Sequence, residues 1–297
     1  MRQVATELMG FLNGIKSIFS SGKLHVPSRF ALLRAAVSGT MSKFYMARDL
    51  RTKQIVGLKI LDKEKTHTFE ARFKGLTKPT EGEIATQFDH PRIITTFEHG
   101  LTTDDEQYLV MEFIDGPNLN AVLINRDPVL DGRRVRFIRQ AAEALGAVHE
   151  AGFIHRDVCP RNLLLCENHE DVKLIDFGLT VPATRPFMLP GNRTGTPNYM
   201  APELVHRQPT DPRVDIFALG VSAFELLTGE LPWTRGTTGM AAMTHDQPPA
   251  DIRQYRPKIH PKLAEAIHSC LLSDPAKRCP SVEHFLWAIR GVKHEDK

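Results

Sequence analysis

The residues of this chain best equipped for chemistry stand in a few short segments: VGLK ending at Lys59, HRDVCPRN at 155–162, DFG at 176–178 and GTPNYMAPE at 195–203. Asp157 and Asp176 offer carboxylates, and Asn162 an amide oxygen; hard cations that bridge phosphates prefer such oxygen ligands. Lys59 and Arg161 are cations, and the planar fork of an arginine can grip a phosphate through two oxygens. Cys159, at the centre of the second segment, has no positive charge to give; even its thiolate has the wrong sign to face phosphate. Taken singly, these residues have plainer readings: an edge lysine, a turn aspartate, a capping asparagine, an exposed arginine on a turn. The four cysteines (159, 166, 270 and 279) show no CxxC spacing, and no His/Cys spacing suggests zinc.

Positioning such groups requires a scaffold, and 297 residues with 41% hydrophobic and 25% charged composition suffice for one large domain or two lobes. A net charge of +3, with no long Lys/Arg run and little interleaving of basic and aromatic residues, argues against a nucleic-acid surface. No stretch approaches the roughly 20 apolar residues that cross a bilayer, and the N-terminus lacks a secretory pattern. A cytoplasmic protein with reduced thiols is expected.

Val4, Leu8, Phe11, Leu12, Ile15, Ile18 and Phe19 recur at helical spacing, so residues 1–29 read as an amphipathic helix and linker. Packing on its own domain is the plainer role for that helix; membrane-surface or partner docking is the alternative, with only Lys16 and Lys23 on a basic face. Residues 30–114 change to short β-rich runs with one helix after Thr80. Residues 115–297 are mainly helical: Asp131 is an N-cap choice, Val135, Ile138, Ala142, Leu145 and Val148 share a face, and Gly152 ends that helix. The fold class is α+β, a small antiparallel sheet with one main helix followed by a larger helical lobe.

In order, the chain presents VGLK, an acidic helix, YLVMEF, HRDVCPRN, DFG, GTPNYMAPE, DIFALG and DPAKR. Over residues 30–291 or so this series resembles the eukaryotic-type protein kinases, most closely their bacterial Ser/Thr branch. The resemblance implies a bilobal kinase fold that uses ATP and Mg²⁺ to phosphorylate protein substrates. Asp157 is then the base that orients the substrate hydroxyl, Lys59 holds the α and β phosphates, and Asp176 and Asn162 are the metal ligands. His155 is packed scaffold. Glu81, ten residues before Pro91, is the partner for Lys59; Pro79, Thr80 and Glu83 also spell a helix start, which keeps Glu83 as a competitor. Met111 is the gatekeeper, Glu112 and Ile114 offer backbone bonds to adenine, and Asn118 approaches the ribose. Thr196 borders the substrate hydroxyl as in Ser/Thr kinases, Glu203 and Arg278 form a buried pair, and Asp215 holds the catalytic-loop backbone. Arg156 is the cation that meets phosphate in members switched by phosphorylation, for which Thr180, Thr184 and Thr194 are the available sites.

Two departures weigh against that reading. The family's GxGxxG falls on VSGTMS, where Val37 and Ser42 replace the outer glycines and only Gly39 remains, implying weaker ATP binding. Cys159 also occupies the place of the loop lysine, while Arg161 offers a positive charge two residues on, as in several tyrosine kinases. The main expectation is an active Ser/Thr kinase. The rivals are a nucleotide-binding pseudokinase or scaffold and a small-molecule phosphotransferase, and oligomeric state is left open.

Overall fold

The computed structural model describes residues 22–38, 41–73, 75–191, 194–233 and 241–296, with backbone alone at 35–38 and 241. Gly39, the side chain of Val37 and the helix expected before residue 22 lie outside the described residues. Contacts divide the chain into two compact units, one of residues 1–72, 82–87 and 95–113, the other of 73–81, 88–94 and 114–297.

The first unit is built on an antiparallel sheet of β1 (Phe30–Ser38), β2 (Ser42–Asp49), β3 (Ile55–Leu61), β4 (Thr96–Leu101) and β5 (Gln107–Met111), in the order β1-β2-β3-β5-β4. The register of β3 sets Lys59 between Phe44 and Leu109. Strand side chains alternate between faces, so one face gathers Phe30, Ala47, Val56, Leu58, Tyr108 and Val110 into a core. Gly57 is fixed by crowding, since a Cβ there would stand 2.7 Å from the Phe44 ring.

Leu24 belongs to this core, exchanges backbone bonds with Leu101 and Thr103, and leads into α1 (Val26–Arg29). Arg29 then meets Asp49 and Glu98. Leu24 and Arg29, which show no period in the sequence, thus both find partners among the strands of the sheet. One difference from the single helix expected here is α2 (Lys63–Glu70), N-capped by Asp62, whose carboxylate accepts from the Lys65 amide. It buries only Thr66 and Phe69, so KEKTHTFE has no apolar stripe to announce it. The helix expected after Thr80 is present as α3 (Glu81–Ala85).

The second unit contains α4 (Leu119–Ile124), α5 (Arg134–Glu150), α6 (Pro202–Val205), α7 (Arg213–Thr228), α8 (Pro261–Cys270) and α9 (Val282–Ala288). The five apolar residues read onto one face of α5 are all buried, and Gly152 adopts φ +80° just beyond its end. Asp131 does not cap α5. Asp127 and Pro128 start a turn of their own, Asp131 closes it, and its carboxylate instead accepts from the Arg134 side chain. α7 is buried along nearly its whole length, as expected of a helix apolar all round, and Gly229 at φ +77° terminates it.

Candidate functional site

Residues 153–182 form the chemical centre of the second unit. β6 (Phe153–Ile154) pairs with β9 (Val181–Pro182), and β7 (Leu163–Leu165) pairs with β8 (Val172–Leu174). The loop between β6 and β7 is HRDVCPRN, and DFG begins one residue after β8, past Ile175.

Asp215, fully buried on α7, fixes the first half of that loop. Its carboxylate accepts the backbone N–H groups of His155 at 2.8 Å and Arg156 at 2.7 Å, and faces His149 Nε2 at 2.9 Å. Burial alone would raise its pKa, but the His149 bond and the loop N–H groups draw it below the ordinary carboxylate value. These bonds hold Arg156 at φ +67°, a conformation costing a non-glycine residue about 1 kcal/mol or more. His155 is enclosed scaffold: its ring packs edge-on against Phe177 of DFG, which stacks on Phe88 at 5.0 Å.

The second half converges on Asp157. One carboxylate oxygen accepts from Thr196 twice, from its N–H at 3.0 Å and from its hydroxyl at 2.6 Å. The other accepts from Asn162 Nδ2 at 2.8 Å, and the same amide nitrogen reaches the Asp157 carbonyl. Arg161 Nη2 donates to Thr196 Oγ1 at 2.9 Å and stands 3.8 Å from Asp157 Oδ2. Cys159 Sγ lies 4.0 Å from that same Thr196 oxygen. The buried cysteine and the half-exposed arginine therefore point at one hydroxyl, although only the arginine brings charge.

Burial, and then the nearby Asp157 charge, push the Cys159 thiol from its ordinary 9.0 up to about 12. A thiol with a raised folded pKa supports the fold while it is protonated in both states, and that support is lost as pH climbs from 9 toward 12. In the native protein at pH 8, iodoacetamide is expected to leave Cys159 unmodified, and Cys159→Ala to soften the alkaline loss of stability. Rapid native alkylation at this residue, mapped by peptide mass, would contradict both expectations.

Asp176 is exposed at φ +67°, with Oδ1 accepting from Gly178 N–H. It is brought near Asn162 by the backbone, because Ile175 N–H donates to the Asn162 carbonyl. Since Asn162 Nδ2 is committed to Asp157, its remaining side-chain atom is an oxygen. A carboxylate plus an amide oxygen is a fitting donor set for Mg²⁺, which takes few protein ligands and completes its shell with phosphate and water. Of the two glutamates weighed for Lys59, Glu81 is buried and Glu83 exposed; Glu81 Oε2 comes within 3.4 Å of where a Cβ on Gly178 would sit. Lys59 itself is buried on β3 in the first unit.

Met111 is buried, and Glu112 bonds Thr95 through both its backbone N–H and its carboxylate. Ile114 opens the next stretch of the second unit. Asn118 spends its side-chain oxygen as the N-cap of α4, on the Ala121 amide. Gly116 cannot carry a side chain, since a Cβ would fall 1.9 Å from the Leu165 carbonyl.

Arg156 is buried and donates to the Phe187 carbonyl at 2.8 Å, with burial lowering its pKa to about 10. Of the three threonines named for phosphorylation, Thr180 and Thr194 are buried and Thr184 is exposed.

Glu203 and Arg278 form the buried pair that the motifs imply, with fork bonds of 2.7 and 2.9 Å. Arg278 also donates to the carbonyls of Arg213, Leu272 and Ser273 and lies over the Phe217 ring. Arg278→Met strands a buried carboxylate and should cost about 3 kcal/mol in urea unfolding, much of it recovered by adding Glu203→Gln. A loss below about 1 kcal/mol would show the pair to be dispensable.

A five-stranded sheet unit, a helical unit and an asparagine-bound aspartate on a buried loop together define the protein kinase fold. Residues 33–287 match the protein kinase domain family, and the chain belongs to it. Members of this family in general use ATP and Mg²⁺. The chain is 33% identical over 273 residues to serine/threonine-protein kinase pkn3 of Myxococcus xanthus, covering 86% of this chain and 48% of that one. It is 30% identical over 267 residues to serine/threonine-protein kinase PknB of Mycolicibacterium smegmatis, covering 86% and 41%. For serine/threonine-protein kinase PrkC of Bacillus subtilis the figures are 27% over 276 residues, covering 92% and 42%. The chain thus spans less than half the length of these curated relatives. No helix among the described residues is long and apolar enough to cross a membrane.

Two participants escaped the sequence reading. His149 looks like one more polar residue at the end of α5, and His245 belongs to no motif; the contacts of both are made with residues distant in the chain.

Proposed function

We propose that this chain is an active protein Ser/Thr kinase that moves the γ-phosphoryl group of ATP to serine or threonine hydroxyls, working in the reducing cytoplasm where its four cysteines stay thiols. The observation that carries the proposal is Asp157, whose two oxygens are separately held by Thr196 and Asn162 beside the Arg161 guanidinium. A carboxylate so oriented is a base with a fixed direction. The acceptor hydroxyl gives its proton to Asp157 as its oxygen bonds the γ-phosphorus, and the bond to the ADP oxygen breaks. Asp176 and Asn162 would hold Mg²⁺, which would supply charge neutralisation to the phosphates.

In this reading Lys59 grips the α and β phosphates with Glu81 as its orienting partner, and Arg161 stands in for the lysine that Cys159 displaces. Met111, Glu112 and Ile114 line the adenine, while Val37 and Gly39 cover the phosphates. Asn118 is the weakest of these assignments because its side chain already serves α4. The silent-scaffold alternative draws on Val37, Ser42 and Cys159; the arrangement around Asp157, which a non-catalytic chain has no need to keep, favours activity.

The test is Mg²⁺-dependent transfer of labelled phosphate from ATP to the protein and to a Ser/Thr peptide array, with Asp157→Asn and Arg161→Ala alongside. Label on serine or threonine that both variants lose supports the proposal. A wild type that binds ATP yet is as silent as Asp157→Asn overturns it.

A further inference from the structure

The phosphoryl-transfer reading leaves unused a histidine built firmly into the second unit. His245 follows the short turn Ala241–Thr244 and is 2% exposed. Its Nδ1 lies 2.7 Å from the Met200 carbonyl, and because a carbonyl only accepts, Nδ1 carries the proton. Burial holds the imidazole below its ordinary pKa, so the ring donates as a neutral tautomer at pH 7. The ring packs at a tilt against Trp233 at 4.6 Å and Phe217 at 5.5 Å, two rings that stack on each other at 5.6 Å. Trp233 is itself anchored through its indole N–H to the Gln247 carbonyl.

Two further contacts join the same pair of segments. Met200 packs with Val205 and Ala242, and His206 Nε2 meets Asp246 at 2.6 Å. Residues 242–246 thus grip residues 200–206 through one buried bond, one apolar cluster and one exposed pair.

What Met200 controls follows from the stiffness of the chain before it. Residues Pro197–Tyr199 form a 3₁₀ turn in which Tyr199 N–H donates to the Thr196 carbonyl and Met200 N–H to the Pro197 carbonyl. Proline at the start and two turn bonds leave little slack, so displacement of Met200 is passed on to Thr196. Thr196 is the residue whose N–H and hydroxyl both meet Asp157.

We propose that His245 is a positioning residue for the protein substrate: through its bond to Met200 it sets the segment 196–200 against Asp157, and so seats the acceptor chain. It touches none of the residues assigned to nucleotide, and the inference rests on the kinase reading. The bond, not the mere packing of the ring against its aromatic neighbours, is the operative feature.

The experiment uses the full chain and the peptide that the wild type phosphorylates best on a Ser/Thr array. His245→Leu should raise the peptide KM about tenfold, the loss expected for one buried hydrogen bond, while the ATP KM stays within about twofold. His245→Asn places an amide N–H where Nδ1 stood and should return the peptide KM to within about threefold. His245→Gln moves its donor one bond further out and should behave like the leucine variant, which keeps the comparison decisive even if His245→Leu fails to fold. Equal losses in all three variants, shared by peptide and ATP parameters, would reduce His245 to packing and overturn the inference, as would an unchanged peptide KM. A wild type that labels no peptide overturns instead the kinase reading beneath it.

Discussion

Asp157→Asn should lower phosphate transfer to peptide by about 10³- to 10⁴-fold, at the upper end of what a positioned base contributes. The substitution preserves size and removes the basic oxygen. It also meets a hydrogen-bond conflict peculiar to this loop. One oxygen of Asp157 receives two donors from Thr196 and the other receives Asn162 Nδ2. An asparagine in either orientation turns its own NH₂ toward a donor, so the fold should lose about 1 kcal/mol in addition. Nucleotide affinity should change little, because Asp157 is assigned no phosphate or metal. The measurements are single-turnover transfer, nucleotide binding and urea unfolding on one preparation. Transfer within about tenfold of wild type would mean that the acceptor proton leaves by another route.

The sequence made the local chemistry of this loop legible and left its wiring dark. Asp157, Asn162, Asp176 and Thr196 stand out because several residue types recur together in a fixed order, and the Glu203–Arg278 pair follows from the same order. Periodicity exposed the buried face of α5, and glycine exposed its end. What failed did so for physical reasons. A cap is a matter of backbone direction as well as residue type, and Asp131 lost that role to a turn begun by Asp127 and Pro128. α2 carries almost no apolar signal because it buries almost nothing. Leu24 is isolated in sequence, and its burial is decided by strand edges some eighty positions away. The His149–Asp215 and His245–Met200 bonds join residues 66 and 45 positions apart, and no spacing rule reaches that far.

Arg161→Ala should reduce transfer by about 10²- to 10³-fold with the fold intact. A unit charge about 4 Å from another is worth roughly 1 kcal/mol in water and roughly 4 kcal/mol at an effective dielectric near 20. The Arg161 side chain is 56% exposed, which discounts the upper figure through solvent screening. The reacting phosphate restores part of it, because a bound substrate excludes water from the site. Arg161→Lys keeps the charge and loses the fork that reaches Thr196 and Asp157 together, so about a tenfold loss is expected. Because Cys159 Sγ and Arg161 Nη2 approach the same Thr196 hydroxyl, at 4.0 and 2.9 Å, the two positions address one point from two sides. Adding Cys159→Lys to Arg161→Ala should therefore recover about tenfold, a positive charge entering from the side now held by a neutral thiol. A value for Arg161→Ala within about threefold of wild type would show that the loop works without this charge, and that the arginine only braces Thr196. Recovery by Cys159→Lys separates the two roles, since a lysine from that side supplies charge without rebuilding the brace.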